Sequence, residues 1–265
     1  MLGDIVGDIV GSIYEYGNIK TTKFPLFSEK CFFTDDTVLT VALADSLLTG
    51  KNYRELLKEY YQRYPDAGFG CRFIEWAKSE DSQPYGSWGN GAAMRIGPIG
   101  WICTGIDEVL IKAEQYTDIT HNHPEGIKGA QATAAAIFMG RSGCSKDEIR
   151  NYTTTSFGYD LTASCDAIRP TYRFDVSCQG TVPPAITAFL ESTDFESSIR
   201  LAVSLGGDAD TLACITGSIA EAYYGGVPTE IAGKAMTYLD DHLKEVAKTF
   251  LKKYVTVPKM FRSAP

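Results

Sequence analysis

The sequence predicts an all-α fold. Apolar residues recur at spacings of three and four in eight windows, strand-like alternation is scarce, and helix-start signals stand where several windows open. In chain order the windows are 38–49, 53–64, 106–119, 126–139, 183–190, 195–204, 212–224 and 228–253. The windows at 38 and 212 each follow a Thr/Asp run able to cap a helix. Pro124 precedes the window at 126 and Pro228 opens the last, matching the preference of proline for a first helical turn. Ser145-Lys146-Asp147-Glu148 has the spacing of a capping box, which marks one more start. A further helix is expected in the opening segment, where Gly3, Gly7 and Gly11 share one stripe and Asp8, Ser12 and Glu15 the next. The glycines let another helix approach closely. Glu15 would end that helix, where the dipole disfavours an anion, so a nearby cation or proton would offset it; a solvated surface side chain is the plainer alternative.

The connectors 18–33, 79–101 and 156–182 are rich in Gly, Ser, Asn, Pro and aromatics. Connectors of that length in a helical protein tend to be functional loops. No low-complexity linker or repeat divides the chain, so residues 1–265 read as a single domain, expected to be a monomer. With 44% hydrophobic and 22% charged residues, the chain can bury a sizeable core. A net charge of −8 with 25 dispersed basic residues disfavours an extended nucleic-acid track. The apolar start carries Asp4 and Asp8 where a secretory leader would carry basic residues, and no stretch reaches the roughly 18 apolar residues of a membrane span. A cytoplasmic protein without a membrane partner is expected. Seven cysteines, odd in number and without a CxxC pair, read as reduced thiols.

Two runs far apart carry the chemistry. Thr34-Asp35-Asp36-Thr37 and Gly206-Gly207-Asp208-Ala209-Asp210-Thr211 each place two carboxylates and threonine hydroxyls before a long apolar stretch. Helix capping explains one residue of each run, and two acidic pairs exceed that need. Four aspartates gathered in one fold raise one another's pKa and call for a positive partner. The donors are all oxygen, so a hard ion such as Mg²⁺, Mn²⁺ or Ca²⁺ fits better than Zn²⁺.

Three other segments are weaker signals. Ser87-Trp88-Gly89-Asn90-Gly91-Ala92-Ala93-Met94-Arg95 is a glycine-rich loop opening into an apolar run, an arrangement that can receive phosphate oxygens, with Trp88 as a stacking face. Asn-Gly is also a routine turn and Trp a routine core residue. In Thr120-His121-Asn122-His123-Pro124 one histidine reads as a hydrogen-bond partner of substrate and the other as structural. His242 reads as solvent-facing. Cys178 has no base partner in sequence, and no serine sits in a nucleophile elbow, so neither nucleophile is expected.

Taken in order, Gly7-Asp8-Ile9-Val10-Gly11-Ser12-Ile13-Tyr14-Glu15, Phe33-Thr34-Asp35-Asp36-Thr37, Gly89 to Arg95, Thr120 to Pro124 and Gly206 to Thr211 resemble the ADP-ribosylglycohydrolase family from residue 3 to about residue 226. The resemblance implies an orthogonal helical bundle whose central cleft holds two Mg²⁺ or Mn²⁺ ions and binds ADP-ribose. Thr34, Asp35, Asp36, Asp208, Asp210 and Thr211 would be the metal ligands. Tyr85, Gly86, Ser87, Trp88, Gly89, Asn90 and Gly91 would hold the diphosphate and adenosine side, and His121 would contact the nucleotide. The implied reaction is hydrolysis of a glycosidic bond between ADP-ribose and an acceptor. Glu15, Asp35 and Asp36 are its expected catalytic carboxylates, with Glu15 handling the leaving group's proton. Arginine on a protein is the first choice of acceptor, ahead of O-linked, nucleic-acid or small-molecule acceptors, and ADP-ribose is the product ligand. A non-catalytic ADP-ribose binder and a metal-dependent phosphohydrolase are the competing readings. Two positions depart from the family's pattern: Asp4, read as added surface charge, and Ala209, where Ser is frequent.

Overall fold

The computed structural model describes residues 1–81 and 83–255; the last ten residues of the expected domain lie outside them. The fold is all-α, as the sequence predicted. The helices are α1 (Leu2–Gly11), continued by a 3₁₀ turn (Ser12–Tyr14), α2 (Asp35–Thr49), α3 (Tyr53–Arg63), α4 (Cys71–Lys78), α5 (Gly91–Met94), α6 (Gly97–Ile102), α7 (Ile106–Thr117) and α8 (Pro124–Arg141). They continue with α9 (Lys146–Phe157), α10 (Cys165–Ile168), α11 (Cys178–Glu191), α12 (Phe195–Leu205), α13 (Ala209–Tyr224), α14 (Thr229–Met236) and α15 (Asp241–Tyr254). Among the described residues there is no strand, only an isolated bridge between Gly89 and Ser177. No described helix is long and apolar enough to cross a membrane, and all seven cysteines are free.

The core is built on α1 against α13. Every residue of α1 from Gly3 to Gly11 is buried, and so is α13 from Ala209 to Ala222. The glycine stripe does what its spacing implied. A Cβ on Gly3 would stand 2.0 Å from Gly217 O, and one on Gly7 2.0 Å from Ala213 O. One on Gly11 would stand 2.4 Å from Asp210 Cα, so the third glycine brings the α1 stripe directly against the acidic run that opens α13. Backbone cannot yield as a flexible side chain can. Gly7→Ala is therefore expected to cost about 3 kcal/mol or more in chemical denaturation, the upper range of overpacking; a loss under about 1 kcal/mol would mean that the two helices are not in backbone contact. Around α13 pack α8, α11 and α12, while α2 lies against α1, α3 and α15.

Several starts follow the sequence signals. Thr34 caps α2, accepting from Asp36 N–H, and the Ser145–Glu148 box forms at α9. The differences have physical causes. α5 and α6, with four and six residues, are too short to show a period and fall inside the expected connector 79–101. The window 228–253 is two helices, because Asp240 caps α15 by accepting from Leu243 N–H (2.9 Å). α11 starts at Cys178, ahead of Pro183 and Pro184, which lie inside it. Pro184 has no N–H for the Gly180 carbonyl, and the Tyr172 hydroxyl donates to that carbonyl instead (2.9 Å). Asp4 is not surface charge: it is 1% exposed, beside Gly97 and paired with the Met1 amine at 2.8 Å. His242 is not solvent-facing either, being half-buried with Nε2 3.0 Å from the Tyr60 hydroxyl.

Candidate active site

The two acidic runs meet at the start of two helices. Asp35 and Asp36 open α2, and Asp208 stands just before α13 with Asp210 in its first turn. The left-handed backbone at Gly206 and Gly207 (φ 71° at each) turns the chain from α12 into α13 there. Asp8, Asp36 and Asp210 place carboxylate oxygens within 4.8 Å of one another, as do Glu15, Asp208 and Asp210. Asp210 belongs to both groups. Asp35, half-buried, is in neither.

Hydroxyls and amides order this cluster. Thr34 Oγ1 and Thr211 Oγ1 each lie 3.3 Å from Asp36 Oδ2. Asp8 accepts from Thr34 N–H (2.9 Å), Thr37 N–H (3.1 Å) and the Thr34 hydroxyl (2.7 Å). It thus fixes the first turn of α2 to α1. Sequence reasoning placed Asp8 on the stripe beside Glu15 but gave it no role in the site. Asp208 accepts from the Asn90 amide at 2.7 Å, and that amide also lies 3.2 Å from Thr181 Oγ1. The Asn90 amide nitrogen therefore ties the expected nucleotide loop to the acidic cluster.

The remaining predicted segments form one wall beside it. Tyr85 packs against His121 with ring centroids 5.9 Å apart, Gly86 N–H donates to Asn122 Oδ1 (2.7 Å), and Gly89 and Gly91 flank the His121 ring. Gly89 N–H donates to Ser87 Oγ (3.1 Å) and Asn90 N–H to Val176 O (2.7 Å). The N–H groups of Ser87 and Trp88 have no partner among the described residues. Trp88 is 46% exposed, its ring 5.4 Å from that of His123. His123 is the structural histidine, its Nδ1 capping α8 by accepting from Glu125 N–H (3.1 Å). Beneath the wall lies Arg95, 1% exposed, which sequence reasoning left without a role. It donates to Thr120 Oγ1 and lies 3.1 Å from His121 Nδ1. Burial and this guanidinium hold His121 well below its usual pKa, hence neutral. Cys178 is buried against Gly89 O and its thiol is pushed up to about 12 by burial, which removes it as a nucleophile.

The electrostatics ask for a cation. Burial raises Asp8 to about 6, and burial with the charges of Asp8 and Asp208 raises Asp35 to about 8. Asp36 and Asp210 are driven well up by burial and by their acidic neighbours, and burial raises Glu15 and Asp208. Among the described residues no lysine, arginine or histidine forms an ion pair with any of them. Asp36 Oδ1 is buried without a hydrogen-bond partner. An orphaned carboxylate oxygen, threonine hydroxyls and further carboxylates are donors for a hard divalent ion, so the residues fit one.

The family model for ADP-ribosylglycohydrolases matches residues 1–258. The chain belongs to that family. It is 26% identical to ADP-ribosylhydrolase ARH3 of Homo sapiens, over 85% of this chain and 84% of the relative, and 25% identical to the Mus musculus ARH3 over 85% and 82%. It is also 25% identical to the ADP-ribosylarginine hydrolase Tri1 of Pseudomonas putida, over 94% of this chain and 76% of the relative. A solved structure described as an ADP-ribosylglycohydrolase-related protein complex superposes with a TM-score of 0.73 at 25% identity, covering 95% of each chain. The chain is thus a glycosidase enzyme of the ADP-ribosylglycohydrolase family.

The raised carboxylates of this ADP-ribosylglycohydrolase give a signed pH dependence. An acid whose pKa is higher folded than unfolded keeps protons that the unfolded chain releases, so stability falls as pH rises between the two values. With Asp8 near 6 and Asp35 near 8, both raised from 3.8, the metal-free protein should lose thermal stability from about pH 4 to about pH 8. Saturating Mn²⁺ should reverse the trend, since its ligands must be deprotonated. Melting curves in EDTA and in Mn²⁺ across that range check both halves; metal-free midpoints that rise with pH would contradict the clustering.

Proposed function

We propose that this enzyme releases ADP-ribose from arginine on ADP-ribosylated protein. The proposed ligands of two Mg²⁺ or Mn²⁺ ions are Thr34, Asp35, Asp36, Asp208, Asp210 and Thr211. The observation that carries the reading is the position of Asp210 in both carboxylate groups, which joins them into one set of oxygen donors that would hold hard divalent ions. Asp8 supports Thr34 and Asp36 by holding the α2 start in place. Bound divalent ions would supply positive charge beside the ribose hydroxyls and lower the pKa of water there.

The protein's own groups do the rest. The N–H groups of Ser87 and Trp88, without a partner among the described residues, are the proposed donors to the diphosphate, and the exposed Trp88 ring the stacking face for the adenosine side. Neutral His121, turned toward Gly89 and Gly91, presents Nε2 to the nucleotide. Cleavage develops oxocarbenium-like charge on the sugar, and the carboxylates of Asp35 and Asp36 stabilise it. Glu15, half-buried and raised by burial and its neighbours, holds the proton that the leaving group takes. An arginine acceptor suits this mouth because its guanidinium is a cation approaching a carboxylate-rich surface, and the relative that aligns over 94% of the chain is named an ADP-ribosylarginine hydrolase.

The test is mass-spectrometric product analysis of arginine- and serine-ADP-ribosylated peptides with Mg²⁺, with Mn²⁺ and with EDTA. Metal-dependent release of intact ADP-ribose from the arginine peptide is expected. Release only from the serine peptide would move the assignment to O-linked substrates. AMP among the products would indicate a phosphohydrolase, and ADP-ribose binding without cleavage of either peptide a pure binder.

A further inference from the structure

One side chain outside the family motifs joins the two segments that carry Glu15 and Asp208. Asn18 Nδ2 lies 2.7 Å from Tyr14 O, 2.7 Å from Glu15 O and 3.0 Å from Gly207 O, donating to this group of carbonyls. Its Oδ1 accepts from Gly207 N–H at 2.7 Å. Both polar groups of the Gly207 backbone therefore end on Asn18. They have no helical ladder to join, since Gly206 and Gly207 are in left-handed conformation between α12 and α13. Lys20 adds a second tie, donating to Leu205 O and to Tyr172 O (3.0 Å).

We propose that Asn18 is a positioning residue that sets the peptide bearing Glu15 against the peptide preceding Asp208, and so holds Glu15, Asp208 and Asp210 as one group. Something has to. The three carboxylates repel one another, and Tyr16, Gly17 and Asn18 are exposed, with the Tyr16 ring on Phe174 (6.4 Å) the packing contact of this stretch, so little burial retains the segment that follows Glu15. An amide side chain suits this from one position, because it offers two N–H donors for carbonyls and a separate oxygen to accept from an N–H. Aspartate offers no donor and alanine neither group.

The effect on turnover rests on the role proposed for Glu15, whereas the effect on metal affinity does not. Asn18→Ala should raise the Kd for Mn²⁺, read by isothermal titration, about tenfold, within the range for supporting residues around a metal. At saturating Mn²⁺ its turnover on the ADP-ribosylated peptide should stay about tenfold or more below wild type, with KM changed by less than about threefold. Asn18→Asp keeps the acceptor for Gly207 N–H and loses the donor to the Tyr14, Glu15 and Gly207 carbonyls. Its Mn²⁺ affinity should lie nearer wild type than that of Asn18→Ala, and its turnover should be as low. Should wild type cleave no linkage, the proposed function fails and the Mn²⁺ titrations alone decide the role of Asn18. The inference is overturned if Asn18→Ala matches wild type within about twofold in Mn²⁺ affinity and, where wild type turns over, in turnover. It is also overturned if the melting midpoint of that variant drops by more than about 10 °C, which would make Asn18 a general folding residue.

Discussion

Asp36→Asn should cut ADP-ribose release by about three powers of ten while raising the melting midpoint of the metal-free protein. The loss follows from removing charge at a carboxylate with one buried oxygen that has no hydrogen-bond partner among the described residues and another on which two threonine hydroxyls converge. A cation's help to a transition state is worth several kcal/mol, and each 1.36 kcal/mol is tenfold in rate. The gain has the opposite origin. In the absence of metal, burial and the charges of Asp8, Asp35 and Asp208 all disfavour an ionised Asp36, and the neutral amide relieves them. At about pH 8 the variant should therefore melt higher than wild type in EDTA and lower than wild type in saturating Mn²⁺, since a ligand at 100 times its Kd adds about 2.7 kcal/mol to the protein that binds it. A variant that is less stable in both conditions would show that Asp36 holds the fold together by itself and is not kept there for an ion.

Glu15→Gln should lower turnover by about 10² to 10⁴, the range for losing a positioned acid or base, and leave ADP-ribose affinity within about twofold. Gln has the same shape and reach but cannot give up or take a proton. The backbone of residue 15 is tied through Asn18 and is untouched by the change, so the variant isolates the carboxyl group. Single-turnover rates with and without metal, beside ADP-ribose titrations, separate the two effects. Full turnover by Glu15→Gln would remove Glu15 from the chemistry and leave the proton to Asp35 or to water.

The parts of the site that were legible in the sequence are those in which ligand-type residues stand next to a helix start. Thr34 to Thr37 and Asp208 to Thr211 could be read because capping chemistry and metal chemistry use the same residue types, and both runs carry more acid than capping needs. Asp8 was less legible. Its partners Thr34 and Thr37 lie 26 and 29 residues away, and within its own helix it is one acid among apolar neighbours. Arg95 escaped for a related reason, since it acts through a contact across the fold with His121, and the contact of Asn90 with Asp208, 118 residues away, was likewise hidden although Asn90 itself was expected on the nucleotide side. In the fold, long amphipathic helices showed themselves while α5 and α6 did not, since four to six residues complete too little of a turn pattern to be counted. The window expected over 183–190 extends back to Cys178, with Pro183 and Pro184 inside α11, where Tyr172 satisfies the Gly180 carbonyl that Pro184 leaves open.

The contact of α1 with α13 also bears on how the protein is made. Their partnership spans about 200 residues of intervening chain, and at a synthesis rate of about 5 to 20 residues per second that is roughly 10 to 40 seconds of translation. Through that interval a helix destined to be buried on every side has α2 beside it but lacks its main partner. The nascent chain must keep it from non-native neighbours until α13 has left the ribosome. Only then do Asp8 and Asp210 come together, so the carboxylate groups they share are completed among the last features of biosynthesis, and acquisition of a metal ion would mark a finished molecule.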